Sequence, residues 1–304
     1  MTDKVMHAQK YIGHVLCEHW HFDEIGSTNT ALMQAIQAGE YDYRQYHLMT
    51  ADRQFAGRGQ HGRSWVGTAG NVFLSLYIPM QTVLDQPSAT ALCRLSGMLS
   101  LAVGYHLAQM PSLLSLNQCR RQQNLPIIGV KWANDLGYYD DNKQLFQKLA
   151  GILIEPVYVK HQDKSTCVGV IVGVGLNVAS TPQITDGLYQ ATSMADLCQS
   201  VQMQMMSLPQ WHEQIADAIL AAIVTHNQLT KPSDRQAFVH AFNQVHLLTD
   251  KWVQIFTQDQ TAQAAHQGKC VGIDEQGALL LDEAGLIVPI YAGMVQSLMN
   301  KDNQ

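Results

Sequence analysis

Two strand-like runs, Leu149–Val159 and Cys167–Val178, are joined by little more than the polar segment HQDKST, His161–Thr166. A parallel crossover needs a dozen or more residues, so these runs can pair only as an antiparallel hairpin. With the strand-like Ile127–Trp132 before them, they predict an α+β fold on a mixed, largely antiparallel sheet. A doubly wound fold is thereby demoted. The segment GVIVGVGLN does hold Gly173 and Gly175, but it lacks the third glycine and the following helix of a dinucleotide fingerprint.

Helical patterns flank this sheet. Gly26–Gly39 reads as a short helix capped by Ser27 or Thr28 and ended by Gly39, with Leu32, Ala35 and Ile36 on its apolar face. Ser88–Met110 and Glu213–Leu229 repeat apolar residues at helical spacing, and a further helix is expected from Ser233, where Ser233 and Gln236 suit a capping box. Between them LLSLNQCRRQQNLP reads as a polar excursion, a surface loop or extra turn. His47–Ala51 and Asn71–Ile78 read as strands. Beyond Val245–Asp250 the texture becomes short strands and glycine-bearing turns, as in a small β-barrel. At 304 residues the chain exceeds the usual single domain, and the expected division is 1–246 and 247–304.

A formal charge of -6 weighs against a main partner that is nucleic acid. The six cysteines form no C-x-x-C pair and the histidines show no ligand spacing, so neither a disulfide framework nor a bound metal is expected. The cysteines read mostly as small core residues. The N-terminus carries neither the basic flank nor the apolar stretch of a signal peptide, and no run reaches the length of a spanning helix, which places the expected protein in the cytoplasm and off the membrane.

The chemistry concentrates in four segments: GSTNT at Gly26–Thr30; TADRQFAGRGQHGRSW at Thr50–Trp65; KWAND at Lys131–Asp135 followed by KLAGILIE at Lys148–Glu155; and VGVGLNV ending at Val178. Glycines in the second let backbone approach a ligand closely, and its arginines offer planar donor forks to a phosphate or carboxylate. In this order, and with GIDEQGALLLDEAGLIVPIYAGMVQSL near the C-terminus, the segments resemble the biotin protein ligases.

The resemblance implies a class II synthetase-like catalytic domain followed by an SH3-like barrel. It implies ATP-dependent conversion of biotin to biotinyl-5'-AMP and transfer of biotin to a lysine of the biotin carboxyl carrier protein of acetyl-CoA carboxylase, with Mg²⁺ arriving on ATP. By the same resemblance Ser27, Thr28, Asn29 and Gln54 meet the biotin head, whose ureido group their hydroxyls and amides can satisfy. The loop Gly57–Arg63, with Arg58, Gly59 and Gln60, closes over biotin; Arg58 grips the carboxylate or phosphate, and Lys131 stands at the reacting carboxylate. Arg63 serves the nucleotide or anchors the loop, Trp65 is a hinge anchor or a ligand contact, and Lys148 is a second phosphate contact or a solvated lysine. Asn177 falls near the adenine, Gly173 and Gly175 keep side chains out of the nucleotide's way, and Tyr189 is a stacking candidate or a plain surface tyrosine. Asp135 orients Lys131, assists the amine, or makes a structural hydrogen bond.

Three departures from the family stand out. Gln60 stands where many relatives carry arginine, and Ala133 replaces a common proline. Only 26 residues precede Ser27, too few for the DNA-binding module of some relatives, so no DNA partner is expected; a homodimer is left open. A lipoate or octanoate protein ligase is the nearest rival, and a nucleic-acid binding module the rival of another class. The polar Ser27–Asn29 and Gln54 set favours a ureido ligand over a dithiolane.

Overall fold

The computed structural model describes residues 4–65, 67–140, 143, 145–161, 164–182, 189–256 and 264–298. In chain order the first part holds β1 (Lys4–Ile12), β2 (Val15–Ile25), α1 (Thr28–Gln37), β3 (Tyr46–Gln54), β4 (Val72–Pro79), α2 (Met98–Ala108), α3 (Pro111–Gln122), β5 (Gly129–Lys131) and β6 (Asp135–Asp140). There follow β7 (Leu145–His161), β8 (Lys164–Leu176), β9 (Gln190–Ala191), α4 (Met194–Ser200), α5 (Leu208–Gln228) and α6 (Pro232–Asn243). The chain closes with β10 (Trp252–Phe256), β11 (His266–Ile273), β12 (Leu279–Glu283), β13 (Leu286–Ile290) and β14 (Met294–Ser297).

The expected hairpin is the spine of the molecule. β7 and β8 pair antiparallel from Ala150↔Leu176 to His161↔Lys164; of the HQDKST segment, 162 and 163 lie outside the described residues. The nine-stranded sheet runs β1-β2-β3-β4-β8-β7-β6-β5, with β9 beside β7. Among the named strands of the described residues only β2/β3 and β7/β9 pair in parallel, so the mixed, largely antiparallel α+β fold is borne out.

Alternation along the strands decides which helix covers which face. In β4 every residue is buried: Phe73 and Tyr77 face α1, where Leu32 and Ile36 complete one cluster with Phe22, Met49 and Ile171. Leu74 and Leu76 face the opposite way, into the cluster built by Leu99 and Val103 of α2 and Ile219 and Ile223 of α5. The sheet is therefore sandwiched between α1 and the helices of the other face. Ser27 caps α1 as expected, its hydroxyl accepting from Thr30 N at 3.4 Å.

Several boundaries differ from expectation. α2 starts at Met98 rather than Ser88, with turns before it. The supposed polar excursion is α3, whose Leu113 and Leu116 are buried and whose Arg120 donates its Nε to Pro126 O at 2.7 Å, so a polar-looking segment earns its place by tertiary bonds. α5 begins earlier, at Leu208, behind a capping box of Ser207 and Gln210. No capping box forms at Ser233: α6 starts at Pro232, a favoured first-turn residue, and Gln236 instead donates to Glu275 at 3.0 Å. Three of the cysteines, Cys17, Cys198 and Cys270, are buried; Cys93 is exposed.

The second sheet is five-stranded and antiparallel in the order β13-β12-β11-β10-β14. Residues 245–247 lead into it alongside β5: Val130 N donates to Val245 O and Leu247 N to Val130 O, both at 2.8 Å. No helix among the described residues is long and apolar enough to cross a membrane.

Candidate active site

Two cavities open side by side over the C-terminal ends of β3, β5 and β8 and the middle of β7. The smaller, of about 60 Å³, is lined by Ser27, Thr28 and Asn29 at the start of α1, Gln54 at the end of β3, and Arg58, Gly59, Gln60 and Trp65 of the arginine-glycine loop. The larger, of about 330 Å³, takes in Arg63, Lys131, Asp135 and Tyr189, together with Tyr291–Gln296 from the second sheet. Gly59, Gln60, Trp65, Asn134 and Lys148 line both.

A buried polar network shapes the smaller cavity. Gln54 Oε1 accepts from Thr28 N at 2.7 Å and from Thr28 Oγ1 at 3.1 Å. Ser75 Oγ, inside the otherwise apolar β4, lies 2.7 Å from Thr28 Oγ1 and 2.5 Å from Asn29 Oδ1 and can donate to one of them at a time. Asn29 Nδ2 donates to Glu155 Oε2 at 3.0 Å. Gln54 Nε2 has no partner among the described residues, which leaves a fixed donor for a ligand carbonyl. An enclosed site with this inventory penalises any guest that cannot answer it, because its polar groups would stay buried and unpaired.

The loop folds back as a narrow hairpin, with Trp65 N donating to Gly57 O at 2.9 Å and Gly59 N to Arg63 O at 2.7 Å. Trp65 then lies flat against β8: a Cβ on Gly175 would sit 2.5 Å from the indole, and one on Gly173 would fall within the Asn29 amide. These glycines thus make room for the loop tryptophan and the Asn29 side chain, rather than directly for a nucleotide as the sequence suggested. Arg63 Nη2 lies 3.0 Å from Met294 Sδ, tying the loop to the second sheet as well as facing the larger cavity.

The lysines divide differently from expectation. Lys148 Nζ lies 2.8 Å from Asp135 Oδ1, off the direction of a hydrogen bond and so an ion pair, and it sits over the rings of Trp65 at 5.4 Å and Tyr189 at 5.2 Å. It is the cation shared by both cavities. Lys131 lines only the larger one, with Nζ 4.9 Å from the Phe146 ring, and does not meet the Ser27–Asn29 set. Burial pushes the Lys131 ammonium down to about 8, against the pull of Asp135 and with the help of the Lys148 and Arg63 charges. Asp135 therefore partners Lys148 directly. The Trp132–Ala133 peptide is cis.

Asn177 lines neither cavity. It is buried beneath Lys148, its Nδ2 donating to Thr192 O at 3.1 Å, while its Oδ1 has no partner among the described residues. Sequence reasoning missed Ser75, Asn134, Glu155 and the Tyr291–Gln296 edge. Ser75 left its signal as a single hydroxyl within the apolar run NVFLSLYI, and the others lie within the motif segments without standing out from them. One group of side chains, His21, Asp23 and Asp52, could hold a cation, and it lines neither cavity.

Known proteins can now be set beside this geometry. A Salmonella typhimurium protein, the bifunctional ligase/repressor BirA, is 28% identical over 271 residues, covering 89% of this chain and 71% of that one. The biotin--[acetyl-CoA-carboxylase] ligase of Mycobacterium tuberculosis is 34% identical over 176 residues, 57% of this chain and 53% of its own. In fold, the chain matches the Aquifex aeolicus biotin protein ligase in complex with biotin and ATP at a TM-score of 0.60, with 19% identity and coverage of 92% and 99% of the two chains. The Leishmania major biotin protein ligase in complex with biotinyl-5-AMP matches at 0.51, with 21% identity and coverage of 91% and 96%. The family model for the biotin protein ligase C terminal domain matches residues 258–296. A second family model spans both cavities' main strands, over residues 22–177, and by it the chain belongs to the biotin/lipoate A/B protein ligase family.

Proposed function

We propose that the protein activates biotin with ATP to biotinyl-5'-AMP and transfers the biotinyl group to a lysine of the carboxyl carrier protein of acetyl-CoA carboxylase. The observation that carries this reading is the pair of joined cavities, one ringed by Ser27, Thr28, Asn29 and Gln54, the other roomy enough for a nucleotide, with Lys148 on their common wall. A carboxylate at the end of the small cavity would meet an α-phosphate there. In the first step a carboxylate oxygen bonds to that phosphorus as the bond to pyrophosphate breaks. Lys148 then faces the oxygens on which charge gathers, the role the sequence suggested for Lys131.

Lys131 and Arg63 suit the triphosphate further out, whereas Asn177, buried beneath Lys148, acts on the site only through the backbone it holds. In the second step the carrier lysine's neutral amine attacks the acyl carbon, AMP leaves with the oxygen, and the amine's proton goes to solvent. The mixed anhydride is already activated, so this step needs positioning above all. Among the described residues Asp135 is the sole carboxylate on the larger cavity's wall, so Mg²⁺ would be held mainly by phosphate oxygens beside it. The reading sets a catalytic unit at 1–246, a smaller one at 247–304 whose edge completes the nucleotide cavity, and places the enzyme in the cytoplasm.

Purified protein should exchange labelled pyrophosphate into ATP when given Mg²⁺ and biotin. Exchange with lipoate alone would transfer the reading to a lipoate ligase; no exchange with either acid would end it. Gln60 lines both cavities and brings an amide where an arginine would bring a charge. A Gln60→Arg variant is therefore expected to release the adenylate about tenfold more slowly. Stopped-flow release at the wild-type rate would remove Gln60 from any part in retention.

A further inference from the structure

Arg58 was the expected ligand for carboxylate or phosphate, yet its fork is already engaged. Nη2 donates to Glu155 Oε1 at 2.8 Å and Nη1 to Thr30 Oγ1 at 3.2 Å. The other oxygen of the same carboxylate, Oε2, accepts from Asn29 Nδ2. Glu155 belongs to β7, 97 residues from Arg58, and lines neither cavity. One carboxylate thus joins the arginine-glycine hairpin to Asn29, which belongs both to the first turn of α1 and to the wall of the small cavity.

We propose that Glu155 is a positioning residue that latches the Gly57–Trp65 hairpin over the small cavity by gripping Arg58, and that it couples this closure to the occupant of the cavity through Asn29. The coupling rests on the biotin reading above; the latch itself does not. The Glu155 side chain is 16% exposed and the Arg58 side chain 48%, so the carboxylate end is fixed while the arginine end can let go. A ligand that holds Asn29 in place fixes Oε2, and with it the oxygen that Arg58 needs. Closure and binding then reinforce each other without Glu155 touching the ligand. Arg58 is on this account a strut of the lid, and the charge facing the reacting oxygens comes from Lys148.

The test compares wild type with Glu155→Gln and Glu155→Asp, as the full chain, by timed trypsin digestion and mass spectrometry. Without ligand, Glu155→Gln is expected to raise cleavage after Arg63 about tenfold relative to cleavage after Arg44 in the same sample, since the ion pair is lost and Arg58 keeps only a neutral acceptor. Glu155→Asp, which keeps the charge, should recover part of the protection. With biotin, the same Glu155→Gln variant should show a KM for biotin raised about tenfold in the exchange assay while kcat holds. Equal acceleration at Arg63 and Arg44 would mean general loosening of the fold and would overturn the latch, as would unchanged cleavage. Should Glu155→Gln fail to fold, Arg58→Lys, a point charge that cannot span both Glu155 and Thr30, carries the same expectation. Selective cleavage in the absence of any biotin-dependent exchange would sustain the latch and sink the biotin reading.

Discussion

Replacing Lys148 by alanine is expected to cut biotin-dependent pyrophosphate exchange about a thousandfold, the usual consequence of removing a preorganised group aimed at developing charge. The substitution removes the cation common to both cavities and strips Asp135 of its ion-pair partner at 2.8 Å. Circular dichroism and a melting curve would separate lost chemistry from lost fold. Lys131→Ala should behave differently, because that side chain lines only the larger cavity. Its expected mark is a KM for ATP raised about tenfold with a smaller change in kcat. The reverse pattern, with the thousandfold loss at Lys131 and a mild effect at Lys148, would return the reacting carboxylate to Lys131.

Acidification should unfold this protein well before its carboxylates titrate. His226 and His246 are buried, and each keeps one ring nitrogen without a partner among the described residues. Burial, aided at His226 by Arg94, pushes them down to about 4 and about 3, from 6.5. Between pH 6.5 and those values the unfolded chain takes up protons that the folded one refuses, so stability present above that window is lost as pH falls through it. By pH 5 the two sites remove about 2 kcal/mol apiece, against a total of roughly 5–15 kcal/mol for a typical fold. His19 and His212, both pushed down to about 4 chiefly by burial, act in the same direction. Urea midpoints measured at pH 7, 6 and 5 should fall steeply, and a His246→Phe variant should flatten the slope. Identical midpoints at pH 7 and pH 5 would sink the idea.

The sequence signals that survived contact with the structure were local ones. Two strand-like runs and a short polar joint identify the β7/β8 hairpin, and the Ser27 cap identifies the start of α1, because neighbouring residues alone decide both. The β1/β2 hairpin was not legible: β2 carries Glu18, His19, His21, Asp23 and Glu24 among its apolar residues. Its histidines are accommodated by the next strand, where His19 and His21 meet Thr50 at 2.9 and 3.0 Å and His21 also lies 3.4 Å from Asp52. The same holds for α3, where Arg120 and Asn117 look like surface residues until their bonds to Pro126 O and Ile128 O are seen. The site followed this rule too. Motifs named the residues that gather at the cavities, but the distinction between Lys131 and Lys148 depends on registers, Lys131↔Asp135 and Gly137↔Lys148, that no local pattern encodes. Glu155 ends the KLAGILIE segment with no local sign of its role, since its partners Asn29 and Arg58 come from distant parts of the chain.

Residues 245–247, bonded on both sides of Val130, bear on any attempt to cut the chain in two. They act as the selvedge of the nine-stranded sheet, covering the outer border of β5. A fragment ending before Val245 would bare the Val130 amide and carbonyl along that border, and a bare strand border recruits whatever extended chain it meets, including its own copies. A fragment ending after Leu247 keeps the hem. The two truncations differ by a few residues, and the shorter should precipitate where the longer stays dispersed.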